Sequence, residues 1–450
     1  MKVTAVVLAA GQGTRMHSKK PKVLHPLLGR PMAEYALKTA QQVTGSKPVV
    51  VIGHEADTIR AALEGAADFV LQQPQLGTGH AVYQAQALLR GKTDLVLVTY
   101  ADMPLVTAET LAGLVEAQKG HNGPVTMLTL IAEDPRGFGR VVRGPNGEVQ
   151  AIVEQVQATA EQLAIRELNA GVYCIQADWL WDTLERVPLS PKGEYYLTDI
   201  VALAVSEGLS VQAHQFTDPS EAVGINTRVH LAEAEAVMRR RINQHWMSNG
   251  VTLIDPAATY IDVGVTIGPD TVIWPDTYLL GETIVGEDCA VGPNSFVRDS
   301  RVGDRSKVFS SVVESAVLEE DVDIGPYAHL RKGAHLAQGV HMGNFGEVKN
   351  SYLGPGVKMG HFSYLGDATI GLDVNIGAGT ITCNYDGVNK NATEIGDGVF
   401  IGSDTMLVAP LKIGKGARTG AGSVVTKDVP PHTLAVGVPA RAIRKLENSD

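Results

Sequence analysis

The sequence predicts two unlike folds in tandem: an α/β, Rossmann-like unit, then a parallel β-helix of six-residue repeats, with a long helix between them. Three observations predict this. Over the first 226 or so residues, short apolar strands alternate with helix-spaced stretches. Residues 228–248 contain no Gly or Pro. From Gly250 onward, small apolar residues recur every six positions. The expected domains are residues 1–227, a linker helix over 228–249, and 250–450.

Each element has its own signal. Residues 3–10 read as a buried strand ending in glycines, and residues 31–43 have helical spacing through Met32, Tyr35, Ala36 and Ala40. Strands follow over 48–52, 69–71 and 94–99, with helices over 54–63 and 79–89 between them. That alternation implies a mostly parallel sheet covered by helices. In such sheets, ligands sit beyond the carboxyl ends of the strands. The Gly11 loop and Asp102 both lie just past strand ends.

In the long helix, Val229, Ala232, Ala236, Ile242 and Trp246 provide the apolar positions, and Asn249–Gly250 ends it. The Arg239–Arg241 run reads as a solvated helix face rather than a phosphate patch. Beyond it, the six-residue period runs through Ile267, Ile273, Leu279, Val285, Val291 and Val297. It returns at Ile324, Leu330 and Leu336, at Leu353, Met359 and Leu365, and at Ile395, Ile401, Leu407 and Ile413. Such a period fits a coil with flat sides, each side a short strand and each corner a turn. Three sides give ~18 residues per coil, so about ten coils stack into a ~48 Å prism. The phase slips between Leu365 and Ile370, and again between Thr382 and Ile395. Residues 383–394 are therefore expected to be extruded as a loop, and the polar tail after about Arg444 to fray.

Composition excludes several classes. At roughly 150 residues per domain, 450 residues make about three units, or two with a linker. With 44% hydrophobic and 19% charged residues, a wholly disordered chain is excluded. The net charge of −11 argues against a general nucleic-acid or membrane-surface binder, while leaving phosphate ligands open. Cys174, Cys289 and Cys383 cannot build a disulfide framework. No apolar run approaches the ~20 residues of a membrane span, and the first residues lack the features of a signal peptide. A soluble cytoplasmic protein is expected.

The chemistry of the first half starts at the string from Leu8 to Met16, LAAGQGTRM, followed by Pro21-Lys22. A strand running into a Gly-rich loop presents backbone N–H groups to an anion. Arg15 and Lys22 add cations suited to a triphosphate. A tight structural turn would also explain the glycines alone, and Asp102 alone could be a turn carboxylate. The loop is neither a Walker A nor a GxGxxG motif.

The full string resembles the sugar-1-phosphate nucleotidyltransferases. Further marks of that family follow in order: Gln72, QLGTGHA at 75–81, YAD at 100–102 and GFGR at 137–140. Then come IVE at 152–154, NAG at 169–171, GEYYLTD at 193–199 and GIN at 224–226. The resemblance implies that Leu8, Ala9, Ala10, Gly11, Gln72, Gly77 and Thr78 hold a uridine nucleotide, with Arg15, Lys22 and Tyr100 in the same site. It assigns Gly139, Glu154 and Asn169 to the amino sugar, and Asp102 and Asn226 to Mg²⁺. One carboxylate plus one amide oxygen suits a hard cation that keeps its waters and phosphates. Ala101 departs from the family, which commonly has Gly there.

The repeat half resembles the left-handed β-helix acyltransferases, and left-handedness is taken from that resemblance. The segments KMGHFSYLGD at 358–367 and NIGAGTITCNYDG at 375–387 narrow the likeness. Together with the first half, they resemble enzymes that acetylate glucosamine-1-phosphate from acetyl-CoA. Those enzymes then transfer uridylyl from UTP to N-acetylglucosamine-1-phosphate, supplying peptidoglycan and lipopolysaccharide precursors. Amide formation needs an uncharged amine, and a histidine suits the task of taking its proton. The resemblance makes His361 the base, with Glu347 as its helper. Arg331 and Lys349 become phosphate-side cations, and Tyr364 and Asn375 sugar contacts. Without the resemblance, Arg331 and Lys349 could equally be exposed decoration. Ala378, Asn384, Tyr385, Ser403 and Ala421 become acetyl-CoA contacts. Where the family has Arg–Val–Pro near its end, this chain has Gly437-Val438-Pro439-Ala440-Arg441, and Arg441 is the candidate replacement cation. A homotrimer is expected from the same resemblance. The alternative is a single-activity nucleotidyltransferase with a structural β-helix.

Overall fold

A computed structural model describes residues 1–445 and forms two compact units, Met1–Met238 and the chain from Arg239 onward. The tail expected to fray falls outside the described residues beyond Lys445.

In the first unit, β1 (Val3–Leu8) is an interior strand of the sheet. Around it in chain order come α1 (Met32–Thr44), β2 (Val49–Ile52), α2 (Ala56–Ala62), β3 (Asp68–Leu71), α3 (Thr78–Tyr83) and β4 (Leu95–Tyr100). Then follow α4 (Ala108–Lys119), β5 (Val125–Ile131), β6 (Gly139–Arg143), β7 (Val149–Val153), β8 (Glu167–Gln176), α5 (Ala177–Leu184), α6 (Asp199–Ser206) and β9 (Val211–Gln215). The sheet order is β9-β5-β8-β4-β1-β2-β3, with β6 pairing β8 and β7 hanging from β6. The strands β1 to β4 are parallel, while β8 runs antiparallel to both its neighbours. The chain leaves β1 towards β2 and β3, then returns to β1's other side as β4. That reversal opens a crevice at the carboxyl ends of β1 and β4, where a ligand fits. Leu8 and Tyr100 are paired there, so both loops begin side by side.

The helix expected over 79–89 is broken into Thr78–Tyr83 and Gln86–Leu89. At the break, the Gln84 and Ala85 amides bond three residues back, and the Gln84 side chain donates to the His80 carbonyl at 3.0 Å. A side chain that takes a main-chain acceptor competes with the helix for it.

The long helix α7 spans Arg228–Ser248, and the division between the two units falls inside it. Within the first unit, Ala234 is buried in a cluster with Leu27, Met32 and Ile225. In the second, Ile242 and Trp246 pack on the repeat core, and Asn243 Nδ2 donates to the carbonyls of Pro256 and Thr259 at 2.7 and 3.0 Å. The division thus lies eleven residues into the expected linker, because each half of the helix has its own core to bury against. Arg239 stacks over the Tyr260 ring at 4.5 Å, so the arginine run is not wholly a solvated face.

The second unit is a three-faced prism of parallel ladders. Most strands have two or three residues, one pointing inward, and the inward side chains form one continuous core. Each fully buried Val, Ile or Leu contributes roughly 1.5–3 kcal/mol. The ten-stranded face counts the coils. Ile267 pairs with Val285, eighteen residues on, but Val302 pairs with Leu318, sixteen on. This shortening explains why the six-residue period lapses between Val297 and Ile324. Asp299, Ser310 and Ser315 take positive φ at its tightened corners. The extruded loop is narrower than expected: Ile381–Cys383 and Thr393–Ile395 are strands, so only residues 384–392 leave the coil. The prism ends in an antiparallel hairpin, Thr433–Gly437 with Ala440–Lys445.

Candidate active sites

The first site forms where β1 and β4 end. Beyond Leu8, the chain is tied to its neighbours by Ala9 N–H to the Val51 carbonyl and Gln75 Nε2 to the Ala10 carbonyl, at 2.9 and 2.8 Å. Gln72 is buried, and its amide donates to the Gly77 carbonyl at 2.8 Å, fixing the loop before α3. That loop packs on the GEYYLTD segment: Gly79 N–H donates to Tyr195 O, and Tyr195 N–H to Leu76 O, both at 2.8 Å. Gly77 has φ +93°, and a Cβ there would meet Tyr195 O at 2.6 Å, so only glycine suits this approach. Thr78 Oγ1 accepts from Leu197 N–H at 3.0 Å.

These ties carve two cavities. One, of about 510 Å³, is lined by Leu8, Ala9, Ala10, Gly11, Lys22, Gln72, Gly77 and Thr78. The other, of about 290 Å³, is lined by Gly139, Glu154, Asn169 and Asn226. Thr78, Tyr100, Asp102 and Tyr196 line both. Arg15 lies in neither wall; it is exposed on the short helical turn Thr14–Met16. The Asn169-Ala170-Gly171 string is an irregularity in β8, where the register with β5 shifts between Asn169 and Tyr173. Such bulges redirect side chains beside sites. Here Asn169 Nδ2 donates to Tyr173 Oη at 2.7 Å.

Asp102 and Asn226 are brought together by a main-chain bond, Ile225 N–H to Asp102 O at 2.9 Å. Lys22 Nζ sits between them, donating to Asp102 Oδ2 and to Asn226 Oδ1, the latter at 3.1 Å. A carboxylate and an amide oxygen thus converge on one cationic atom, and this donor set suits Mg²⁺. Electrostatics differ across the cavities. Burial, offset in part by a hydrogen bond from Thr198, raises the Glu154 carboxyl above its usual range, and the charges of Asp199 and Glu194 add to the rise. Burial also raises Asp199. Tyr100 is raised well beyond the ordinary phenol by burial, then by Asp102 and Glu154.

The second site is a line of residues on the open prism. His361 is exposed at a corner just past the strand Lys358–Met359, not inside the coil. The registers Lys358↔Asn375↔Phe400↔Arg418 place His361, Ala378, Ser403 and Ala421 at one corner of successive coils. Coils stack at about 4.8 Å, so His361 and Ala421 lie about 14 Å apart. The next step of the ladder is Gly437, because Thr419 pairs with Ala435. The closing hairpin pairs Gly437 with Ala440 and Val436 with Arg441, returning an exposed guanidinium to the end of this line.

Beside it, Leu330↔Val348 and Lys349↔Gly366 stack Arg331 next to Lys349. Glu347 was expected to serve His361, but its Oε1 accepts from Arg331 Nη1 at 2.8 Å. Among the described residues, no hydrogen bond joins Glu347 to His361. The reason is register: Glu347 lies opposite His329 and Tyr364 on an adjoining face. A Cβ at Gly366 would fall 2.3 Å from Tyr364 Oη and 2.7 Å from Asn384 Nδ2, so both groups crowd over that glycine. Asn375 lies between Lys358 and Phe400 in the ladder. Tyr385 projects from the extruded loop, its hydroxyl donating to the Gly387 carbonyl at 2.6 Å.

Sequence reasoning missed Lys390. The extruded loop brings it to Lys349, and its ammonium, with Arg331 behind it, pushes the Lys349 pKa down. Three cations thus gather at one corner. Asp367 balances them in part. Its burial acts to raise it, yet hydrogen bonds from Asn350 and Asn384 and the two lysine charges hold it below the usual carboxylate range. The phase slip that located the loop could have pointed to its one lysine. Thr198 and Tyr196 were also missed as site residues, although their segment was singled out.

The sequence matches the MobA-like NTP transferase domain over residues 5–168 and the bacterial transferase hexapeptide (six repeats) over 264–299 and 392–427. The hexapeptide match accords with the left-handed β-helix expected of the prism. Among similar proteins is the bifunctional protein GlmU of Heliobacterium modesticaldum, 48% identical over 97% of this chain and 95% of its own. The bifunctional protein GlmU of Enterococcus faecalis is 48% identical over 98% of this chain and 96% of its own. No helix among the described residues is long and apolar enough to cross a membrane. With both halves matched and near-complete coverage at this identity, the chain belongs to the bifunctional GlmU family.

Proposed function

We propose that the prism acetylates glucosamine-1-phosphate from acetyl-CoA and that the α/β unit then couples the product to UTP, giving UDP-N-acetylglucosamine. The observation that carries the second step is the convergence of Asp102 and Asn226 on one cationic point, in the wall shared by two cavities. The larger cavity holds UTP, with its base against Gln72, Gly77 and Thr78. The smaller holds the sugar, between Gly139, Glu154 and Asn169. The sugar's phosphate oxygen attacks the α-phosphorus in line, a new P–O bond forms, the α–β bond breaks, and pyrophosphate leaves with the electron pair. Both reactants are anions, so alignment and charge neutralisation are the main tasks. Mg²⁺ held by Asp102 and Asn226 would supply charge neutralisation on the phosphates. Lys22 and Arg15 add cations from the protein, Arg15 from the exposed turn beside the loop.

On the prism, Arg331, Lys349 and Lys390 bind the sugar phosphate, while Tyr364 and Asn375 meet the sugar. His361 takes the amine proton as nitrogen attacks the acetyl carbonyl; collapse then expels the thiol of coenzyme A. The pantetheine arm runs along Ala378, Ser403 and Ala421, flanked by Asn384 and Tyr385, and Arg441 meets the nucleotide end. Glu347 acts through Arg331 by holding its guanidinium. The open line of small residues suits completion by a second copy, and the likeness to hexapeptide-repeat transferases supports the reading of a homotrimer working in the cytoplasm. The test incubates the protein with glucosamine-1-phosphate, acetyl-CoA, UTP and Mg²⁺, omitting each in turn. Omitting acetyl-CoA should abolish both free thiol and nucleotide sugar; omitting UTP should abolish only the nucleotide sugar. Absence of thiol release with every component present overturns the acetyl-transfer half.

A further inference from the structure

The residue that occupies the meeting point of Asp102 and Asn226 is Lys22. Its ammonium donates to both oxygens. The pair is largely enclosed, with side chains 12% and 17% exposed for Lys22 and Asp102. One point cannot hold an ammonium and a divalent ion, since two cations at contact repel strongly in an enclosed site. We infer that Lys22 is a displaceable counter-cation: it neutralises Asp102 while the site is empty and vacates that point when a divalent metal enters. This rests on the reading of Asp102 and Asn226 as the metal ligands.

The stem of Lys22 shows where the consequence goes. Gly13 has φ +63°, and a Cβ on it would lie 2.5 Å from Lys22 Cβ. Lys22 therefore lies directly against the Gly-rich loop, and it also lines the larger cavity. Metal entry releases the ammonium into the cavity that takes the triphosphate. Conversely, a triphosphate that draws the ammonium away uncovers the two oxygens. The two ligands are thereby coupled through one side chain, and such coupling is reciprocal. Lys22 is a positioning residue in this role, and the role concerns binding, separate from turnover.

The experiment titrates Mn²⁺ into the full chain, reading free Mn²⁺ by electron paramagnetic resonance, with and without UTP. Wild type, Lys22→Met and Asp102→Asn are compared. Without UTP, K22M should bind Mn²⁺ about ten-fold tighter than wild type, because no ammonium competes. UTP should then improve Mn²⁺ binding by a smaller factor in K22M than in wild type. Equal affinities in wild type and K22M, with binding lost in D102N, overturn the inference and leave the metal site standing. Undiminished binding in D102N, or binding by none of the proteins with UTP present, overturns the metal site itself. Should K22M fail to fold, a crystal of wild type soaked in Mn²⁺ decides: Nζ moves out of reach of both oxygens, or it stays and the inference fails.

Discussion

The two sites handle charge in opposite ways. In the α/β unit, groups from several separated segments meet inside cavities, and burial is the dominant influence on the acids Glu154 and Asp199, raising both. On the prism, the groups lie along open corners and the face between them, and the shift at Lys349 comes from the neighbouring cations Lys390 and Arg331. A nucleotide site that must exclude water encloses its reactants. A site on a stacked coil has a core of only inward side chains, so it must act with what projects outward. The difference teaches that the first site depends on loop geometry and the second on which residues share a corner.

Removing the central group of each site is the sharpest way to test that independence. Asp102→Ala should lower uridylyl transfer by about 10³-fold or more, since charge neutralisation carries most of phosphoryl-transfer catalysis. Its thiol release from acetyl-CoA should be unchanged. His361→Ala should lower thiol release by ~10²–10⁴-fold, the usual contribution of a general base, with pyrophosphate release from N-acetylglucosamine-1-phosphate intact. Cross-effects in either direction would break the comparison.

Loop geometry is tested by Gly77→Ala. The added Cβ meets Tyr195 O at 2.6 Å at a φ of +93°. Positive φ alone costs about 1–3 kcal/mol in a residue with a side chain. Thermal unfolding of the first unit should therefore move down by several degrees, and the Michaelis constant for UTP should rise. Thiol release should stay at the wild-type rate.

Much of this arrangement was legible in the chain, for reasons that differ between the halves. Motifs that end on strand tips, such as LAAGQG and YAD, carry their position with them, because a parallel sheet places all such tips on one edge. The six-residue period carried the prism's three faces. Lys22's post between Asp102 and Asn226 was not legible, since it depends on contacts across 80 and 204 residues. The partnership of Glu347 with Arg331 was hidden because it runs diagonally across the ladder: the eighteen-residue register sets Arg331 opposite Lys349, and its guanidinium reaches back two residues to Glu347. Lys390 was hidden because a loop outside the period has no phase to read.

Corner crowding is tested by Lys390→Ala. Loss of one charged contact to a phosphate costs roughly 1.5–3 kcal/mol, so the Michaelis constant for glucosamine-1-phosphate should rise about ten- to hundred-fold with little change in kcat. The effect should shrink as salt is raised, because the corner is exposed. The pH dependence has a definite sign. Lys390 lowers the Lys349 pKa, so substrate binding weakens as pH rises through that lowered value. In K390A, Lys349 keeps its proton to higher pH, and the basic limb of the binding profile should move upward.

The smallest effect tests enclosure. Glu154 titrates above its unfolded value, chiefly through burial. Between the two values the folded state holds more proton than the unfolded, so stability falls as pH rises through that window. Above that window the ionised carboxylate is therefore a cost to the fold, kept for the ligand. Glu154→Gln removes the charge while retaining an oxygen that can accept from Thr198, whose hydroxyl lies 3.2 Å from Glu154 Oε1. The ligand-free variant should melt higher than wild type at pH values above that window. That advantage should fade as pH drops below the folded pKa towards the ordinary carboxylate range. Its Michaelis constant for N-acetylglucosamine-1-phosphate should rise at the same time. A variant less stable at every pH would mean that the carboxylate is held by favourable contacts and that burial is not what sets its charge.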